Sequence, residues 1–130
     1  MVIVAAADDR DRFHLASLNH LSQLSEEKLL ASAALLEFDL LLRGKGYSEN
    51  LRSEQFKLLL ASYPRAASSV HHVSPTTFVL ASSLEEQYGL GYFDSLIAAE
   101  AIQHDGQIVS SDRELDRVPG LQRISLEADS

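Results

Sequence analysis

The sequence contains no cysteine, which excludes disulfides, zinc–thiolate sites and thiol nucleophiles together and leaves the redox compartment open. No serine sits in a Gly-x-Ser-x-Gly turn, so a nucleophile-elbow hydrolase has no support. The only stretch resembling a phosphate loop, Gly44-Lys45-Gly46, is too short for the Gly-x-x-x-x-Gly-Lys pattern and reads as a helix stop. Long hydrophobic runs are missing as well. Met1-Val2-Ile3-Val4-Ala5-Ala6-Ala7 is apolar but short, lacks a basic flank and runs at once into Asp8-Asp9-Arg10-Asp11-Arg12. Neither a secretory peptide nor a membrane span fits that pattern, so the cytoplasm is the expected compartment by default.

Positive charge is also in short supply. The formal net charge is -8, which works against gripping nucleic acid through a broad basic face, because Lys and Arg contacts to phosphate supply most non-specific affinity. Nucleic-acid chemistry would need a divalent cation, local arginines such as Arg43, Arg113 and Arg117, or a basic partner chain over the acidic surface. The only lysines are Lys28, Lys45 and Lys57. Their absence from the C-terminal half argues against a phospho-acceptor receiver domain, whose chemistry needs a late lysine.

What is present is an alternation of strand and helix. With 130 residues and 45% hydrophobic content the chain is long enough for one domain, residues 1–130, and too short for two. Val2-Ile3-Val4 reads as a short buried strand, and residues Arg10 to Leu24 as an amphipathic helix. Leu29 to Ser32 reads as a brief strand, and Ala33 to Arg43 as a helix stopped by Gly44. Ser48 is a plausible N-cap for a helix to about Tyr63, where Pro64 hinders continuation. Val70 to Val73 reads as a strand, and Ser74-Pro75 opens a helix that ends near Tyr88-Gly89. A helix from about Phe93 to His104, a strand from Gln107 to Ser110 and a final strand within Leu121 to Leu126 complete the pattern. This order predicts a three-layer α/β/α sandwich with a mostly parallel central sheet.

Acidic residues fall where such folds gather ligands, at helix starts and beyond the C-terminal ends of strands. Asp94 lies at the start of an apolar helix, Asp112 and Asp116 just after an apolar strand, and Glu37 interrupts the nearly all-apolar segment Ala33 to Leu42. Acids from these places can converge on one hard cation. Asp39 shares the segment of Glu37, but two residues apart on a helix point in different directions, and Glu37 is the expected inward one. Other readings of the same residues stand beside this one. Asp94 could cap its helix, Ser111-Asp112-Arg113-Glu114 fits a capping box, and Glu37 could be an acid on the polar edge of its helix. The histidines suggest no cation site. His71 and His72 should face opposite sides of a strand, and His104 suits a helix C-terminus.

The segments Phe93-Asp94-Ser95-Leu96-Ile97-Ala98-Ala99 and Val109-Ser110-Ser111-Asp112-Arg113-Glu114-Leu115-Asp116-Arg117-Val118-Pro119-Gly120 resemble the C-terminal half of a PIN domain, the fold of VapBC-type toxins. Ala33 to Arg43 resembles that family's acid-bearing helix after the second strand. The resemblance implies a metal-dependent ribonuclease in which clustered carboxylates hold Mg²⁺ or Mn²⁺ and a metal-activated water attacks an RNA phosphodiester. It implies Glu37, Asp94 and Asp112 as catalytic and metal-binding acids, Asp116 as an additional metal acid, and Ser110 or Ser111 as a supporting hydroxyl. It further implies an antitoxin-like basic partner and a homodimer.

One departure stands out. PIN domains normally begin with a strand ending in an Asp, and residues 1–7 contain no acid. Aligned to that pattern, Val2 to Ala7 is expected to follow the missing Asp, while Asp8, Asp9 and Asp11 come too late to replace it. Either the chain as given lacks the first strand, or the acid is gone and the domain is a catalytically impaired relative that acts through a protein partner or as a dimer.

Overall fold

Strand periodicity divides the core of this protein into two layers. The structure is a computed structural model and describes residues 2–4 and 14–126. Its strands are β1 (Val2–Val4), β2 (Lys28–Ala31), β3 (Val70–His71), β4 (Gln107–Val109) and β5 (Gln122–Ile124), and they form one five-stranded sheet in the order β3-β2-β1-β4-β5. All four pairings are parallel. Register places Ile3 opposite Leu29 and Ile108, and Val4 opposite Leu30 and Val109. Because successive side chains alternate in face, Ile3, Leu29 and Ile108 join one apolar cluster, whereas Val4, Leu30 and Val109 join the other.

Helices cover both clusters. The first receives α4 (Pro75–Tyr88) and α5 (Tyr92–His104), together with Ala33 and Ala34 at the start of α2 (Ser32–Gly44). The second receives Leu21 of α1 (His14–Ser22), Leu24, and Leu59 and Tyr63 around the end of α3 (Glu49–Ser62). The protein is therefore the expected three-layer sandwich, with a sheet that is parallel throughout.

Several local signals act as read from the sequence. Ser48 caps α3 by accepting from the Leu51 amide, and Ser74 with Thr77 closes a reciprocal capping box on α4. Gly89 ends α4 in the left-handed conformation, φ +67. Other boundaries differ. Strand β3 stops at His71 because the Val73 amide turns to the Ser32 hydroxyl, 3.1 Å away, instead of to a neighbouring strand. Ser32, expected to end β2, opens α2 directly. The helix expected from Arg10 is seen as α1 from His14, its first residues lying outside the described part of the chain.

The N-terminal alignment needs correction. Val2–Val4 does not follow the first strand; it is that strand, paired on one side to β2 and on the other to β4 in the centre of the sheet. In sequence, its C-terminal end leads to Ala5-Ala6-Ala7, which lie outside the described residues.

Strand order fixes where a ligand can bind. From β1 the chain moves outward to β2 and β3, then returns through α4 and α5 to place β4 on the other side of β1. The reversal makes the C-terminal ends of β1 and β4 the switch point of the sheet, the usual binding position in open α/β folds.

Candidate metal centre

Three elements carry the candidate acids. Helix α2 presents Glu37 one turn beyond the buried Ala33 and Ala34, on the same helical face, and leaves it half-buried. Asp39 takes the other direction and pairs with Arg43 at 3.1 Å and with Arg52 of α3 at 3.4 Å. Asp39 thus tethers two helices.

Helix α5 holds Asp94 in its first turn. The N-cap is Gly91 and no side chain caps the helix, so Asp94 is not the cap of α5. Its helix is buried at every position from Ser95 to Ala101, which fixes the backbone that carries the acid. A helix buried on all sides needs small residues to approach its neighbours, and Ala98, Ala99 and Ala101 provide them.

The loop after β4 carries Asp112. Its side chain accepts from the Glu114 amide at 3.0 Å and caps the short 3-10 turn Arg113–Arg117. Asp112, and not Ser111, is therefore the capping residue of this turn. The Ser110 hydroxyl accepts from the Asp112 amide at 3.0 Å and supports the loop, whereas Ser111 is exposed. Asp116 is engaged elsewhere: Arg123 of β5 grips it with two hydrogen bonds, 2.8 and 3.1 Å, while also donating to the Ser110 carbonyl. That grip holds the Asp116 carboxyl below its ordinary range.

Electrostatics tie the first three acids together. Desolvation, and then the charge of Asp94, raises the Glu37 carboxyl above its ordinary value. Desolvation raises Asp94 too, followed by the charges of Asp112 and Glu114. Like charges raise one another's pKa only when they share a poorly screened space. In the sequence Glu114 reads only as the fourth residue of the capping-box pattern Ser111-Asp112-Arg113-Glu114; its contribution to Asp94 comes with the tight turn that Asp112 starts.

Oxygen donors with surplus negative charge suit a hard divalent cation such as Mg²⁺ or Mn²⁺ and offer nothing to a soft one. The donor chemistry fits. As the side chains stand, no three His, Asp or Glu residues among those described lie close enough together to hold a metal ion. An open cavity of about 590 Å³ lined by Ser25, Glu26, Glu27, Arg65, Ser68 and Ser69 borders the N-terminal ends of β2 and β3, away from the switch point.

The sequence pattern of the PIN domain matches residues 1–121. The chain belongs to the PIN domain family. Solved structures agree on the fold. VapBC2 from Rickettsia felis, bound to a DNA fragment from their promoter, has a chain with TM-score 0.67 and 18% identity, covering 96% of this chain and 98% of that one. A toxin–antitoxin complex from Klebsiella pneumoniae gives 0.63 at 13% identity, covering 94% and 96%. FitAcB from Neisseria gonorrhoeae gives 0.61 at 13% identity, covering 98% and 99%. No protein of curated function matches the chain. No helix of this PIN domain among the described residues is long and apolar enough to cross a membrane.

Proposed function

We propose that this PIN domain is a divalent-metal-dependent ribonuclease of the VapC toxin type, with Glu37, Asp94 and Asp112 as its metal-binding and catalytic acids. The observation that carries the proposal is the PIN family match over residues 1–121, which spans all three acids. Their electrostatics support it: desolvation and then the charge of Asp94 raise Glu37, and desolvation and then the charges of Asp112 and Glu114 raise Asp94, an arrangement that favours a bound cation. Bound there, Mg²⁺ or Mn²⁺ would supply Lewis acidity, lowering the pKa of a water and stabilising phosphoryl charge.

The chain's own residues would do the rest. Glu37, Asp94 and Asp112 offer carboxylate oxygens, and Ser110 keeps the Asp112 backbone in place. Asp116, as the additional acid, holds Arg123 against the Ser110 carbonyl and so braces the same loop. The substrate is RNA, and with a net charge of -8 its approach depends on the cation and on local arginines. A basic antitoxin-like chain is the proposed partner, in keeping with the toxin–antitoxin complexes among the structural neighbours. We place the activity in the cytoplasm and expect a homodimer.

The test is cleavage of a labelled structured RNA with Mn²⁺ or Mg²⁺, beside EDTA and Asp94→Asn controls. Metal-dependent cleavage lost in the variant supports the proposal. A specific observation favours a second reading: the sequence beyond β1 is Ala5-Ala6-Ala7, where the family normally has an acid. If the folded chain binds an antitoxin-like partner but cleaves no RNA with either metal, it is an impaired PIN domain acting through protein binding.

A further inference from the structure

Glu100 is the most deeply buried charged residue among those described, 0% exposed in the middle of α5. A carboxylate with no access to water must have partners or lose several kilocalories of solvation. Its partners all belong to the C-terminal edge of the neighbouring strands. Oε1 accepts from the Ser32 hydroxyl at 2.5 Å, and Oε2 accepts from the Ala33 amide at 3.2 Å. The Ser32 oxygen in turn accepts from the Val73 amide, and His71 Nδ1 stands 3.6 Å from Oε1.

Ser32 and Ala33 are the first two residues of α2, and the N-cap residue of that helix, Ala31, makes no side-chain cap. The first amides of a helix lack partners within the helix and favour a negative charge. Glu100 supplies both from another helix: it is a cap in trans. The two helices joined in this way are the ones that carry acids of the candidate site. Glu37 lies five residues beyond Ser32 on α2, and Asp94 lies six residues before Glu100 on α5.

We propose that Glu100 is a positioning residue, whose buried carboxylate anchors the first turn of α2 to α5 and thereby sets where Glu37 stands relative to Asp94. This rests on the reading of those two acids as the metal site. Glu100 touches neither the cation nor the RNA and acts only through the helix it holds. Helix α2 has no side-chain cap from its own N-cap residue, so without Glu100 the Ser32 hydroxyl and the Ala33 amide lose the acceptor that ties them to α5. A gap of that kind costs a cation site affinity, because residues that orient ligands commonly contribute about 10–100-fold.

The test compares the full-length wild type with Glu100→Ala, Glu100→Gln and Ser32→Ala by calorimetric Mn²⁺ titration and by NMR residual dipolar couplings of α2 against α5. A glutamine can accept from the Ala33 amide and donate to the Ser32 oxygen, so it should keep the helix orientation and hold Mn²⁺ affinity near wild type. Glu100→Ala should weaken Mn²⁺ binding about tenfold and reorient α2. Ser32→Ala leaves the carboxylate in place, removes only the hydroxyl bridge and should give the same change in milder form, which keeps the test available if Glu100→Ala does not fold. Unchanged α2 orientation in both Glu100→Ala and Ser32→Ala, or in Ser32→Ala alone should the first not fold, would overturn the inference, even if melting temperatures fall. Should wild type bind no Mn²⁺, the metal-site reading fails, but the dipolar couplings still decide whether Glu100 positions α2.

Discussion

At the scale of single residues, the site is a problem of like charge. Glu37 and Asp94 are raised by desolvation first and by neighbouring acids second. Between the ordinary carboxylate value and the raised one, the folded protein binds more protons than the unfolded chain, so stability falls as pH rises through that window. The metal-free protein should therefore melt at higher temperature at a pH near the ordinary carboxylate value than at neutral pH as far as these two acids are concerned. Asp94→Asn and Glu37→Gln should each raise the metal-free melting temperature at pH 7 by a few degrees and flatten that dependence, which differential scanning calorimetry can check. Asp116 has the opposite sign: Arg123 lowers it, so its contribution is present above the ordinary value and lost as pH falls through the lowered one.

Much of this was legible in the residues. Helical geometry sends Glu37 and Asp39 in different directions, and Asp39 pairs with Arg43 and Arg52. Two residues were not. Glu114 stood in the capping-box pattern, which gives no hint that its charge reaches Asp94. Glu100 was visible as a lone acid between Ala99 and Ala101 in an apolar helix, a signal of buried charge, but its partners lie 67 and 68 residues away in sequence. No local pattern reports such a pairing.

At the scale of elements, caps and stops were readable because they are local. Ser74-Pro75 opens α4 and Gly89 closes it, as short-range chemistry requires. The length of β3 was not readable, because what ends it is the Ser32 hydroxyl on another element. Gly106, between α5 and β4, shows a constraint that spacing alone hides: at φ +77 a Cβ would come within 2.7 Å of the Gly120 carbonyl oxygen. That oxygen belongs to backbone and cannot swing aside. Gly106→Ala should cost about 1–3 kcal/mol, read as a lower urea midpoint, and should disturb the entry to β4 from which the Asp112 loop departs.

At the scale of the whole molecule, strand–helix alternation announced the layers but not the strand order. Which strand lies in the centre depends on long-range pairing. The short apolar start was readable as a strand but, aligned to the family pattern, as the segment after the first strand's Asp, and only its pairing to both β2 and β4 identifies it as the central strand. In sequence the residue after Val4 is Ala5, where the family normally has an acid. Ala5→Asp should tighten Mn²⁺ binding about tenfold, since carboxylate count largely sets affinity at hard-cation sites; a direct comparison of dissociation constants with wild type checks it.

The whole account turns on whether the acids of α2, α5 and the β4 loop still bind a cation. Calorimetric titration of Mn²⁺ into the wild-type chain, beside Asp94→Asn and Asp112→Asn, tests this without knowledge of the RNA. Saturable binding in wild type that is lost in both variants is the predicted result. A folded wild-type chain that takes up no Mn²⁺, or variants that bind as well as wild type, would contradict it.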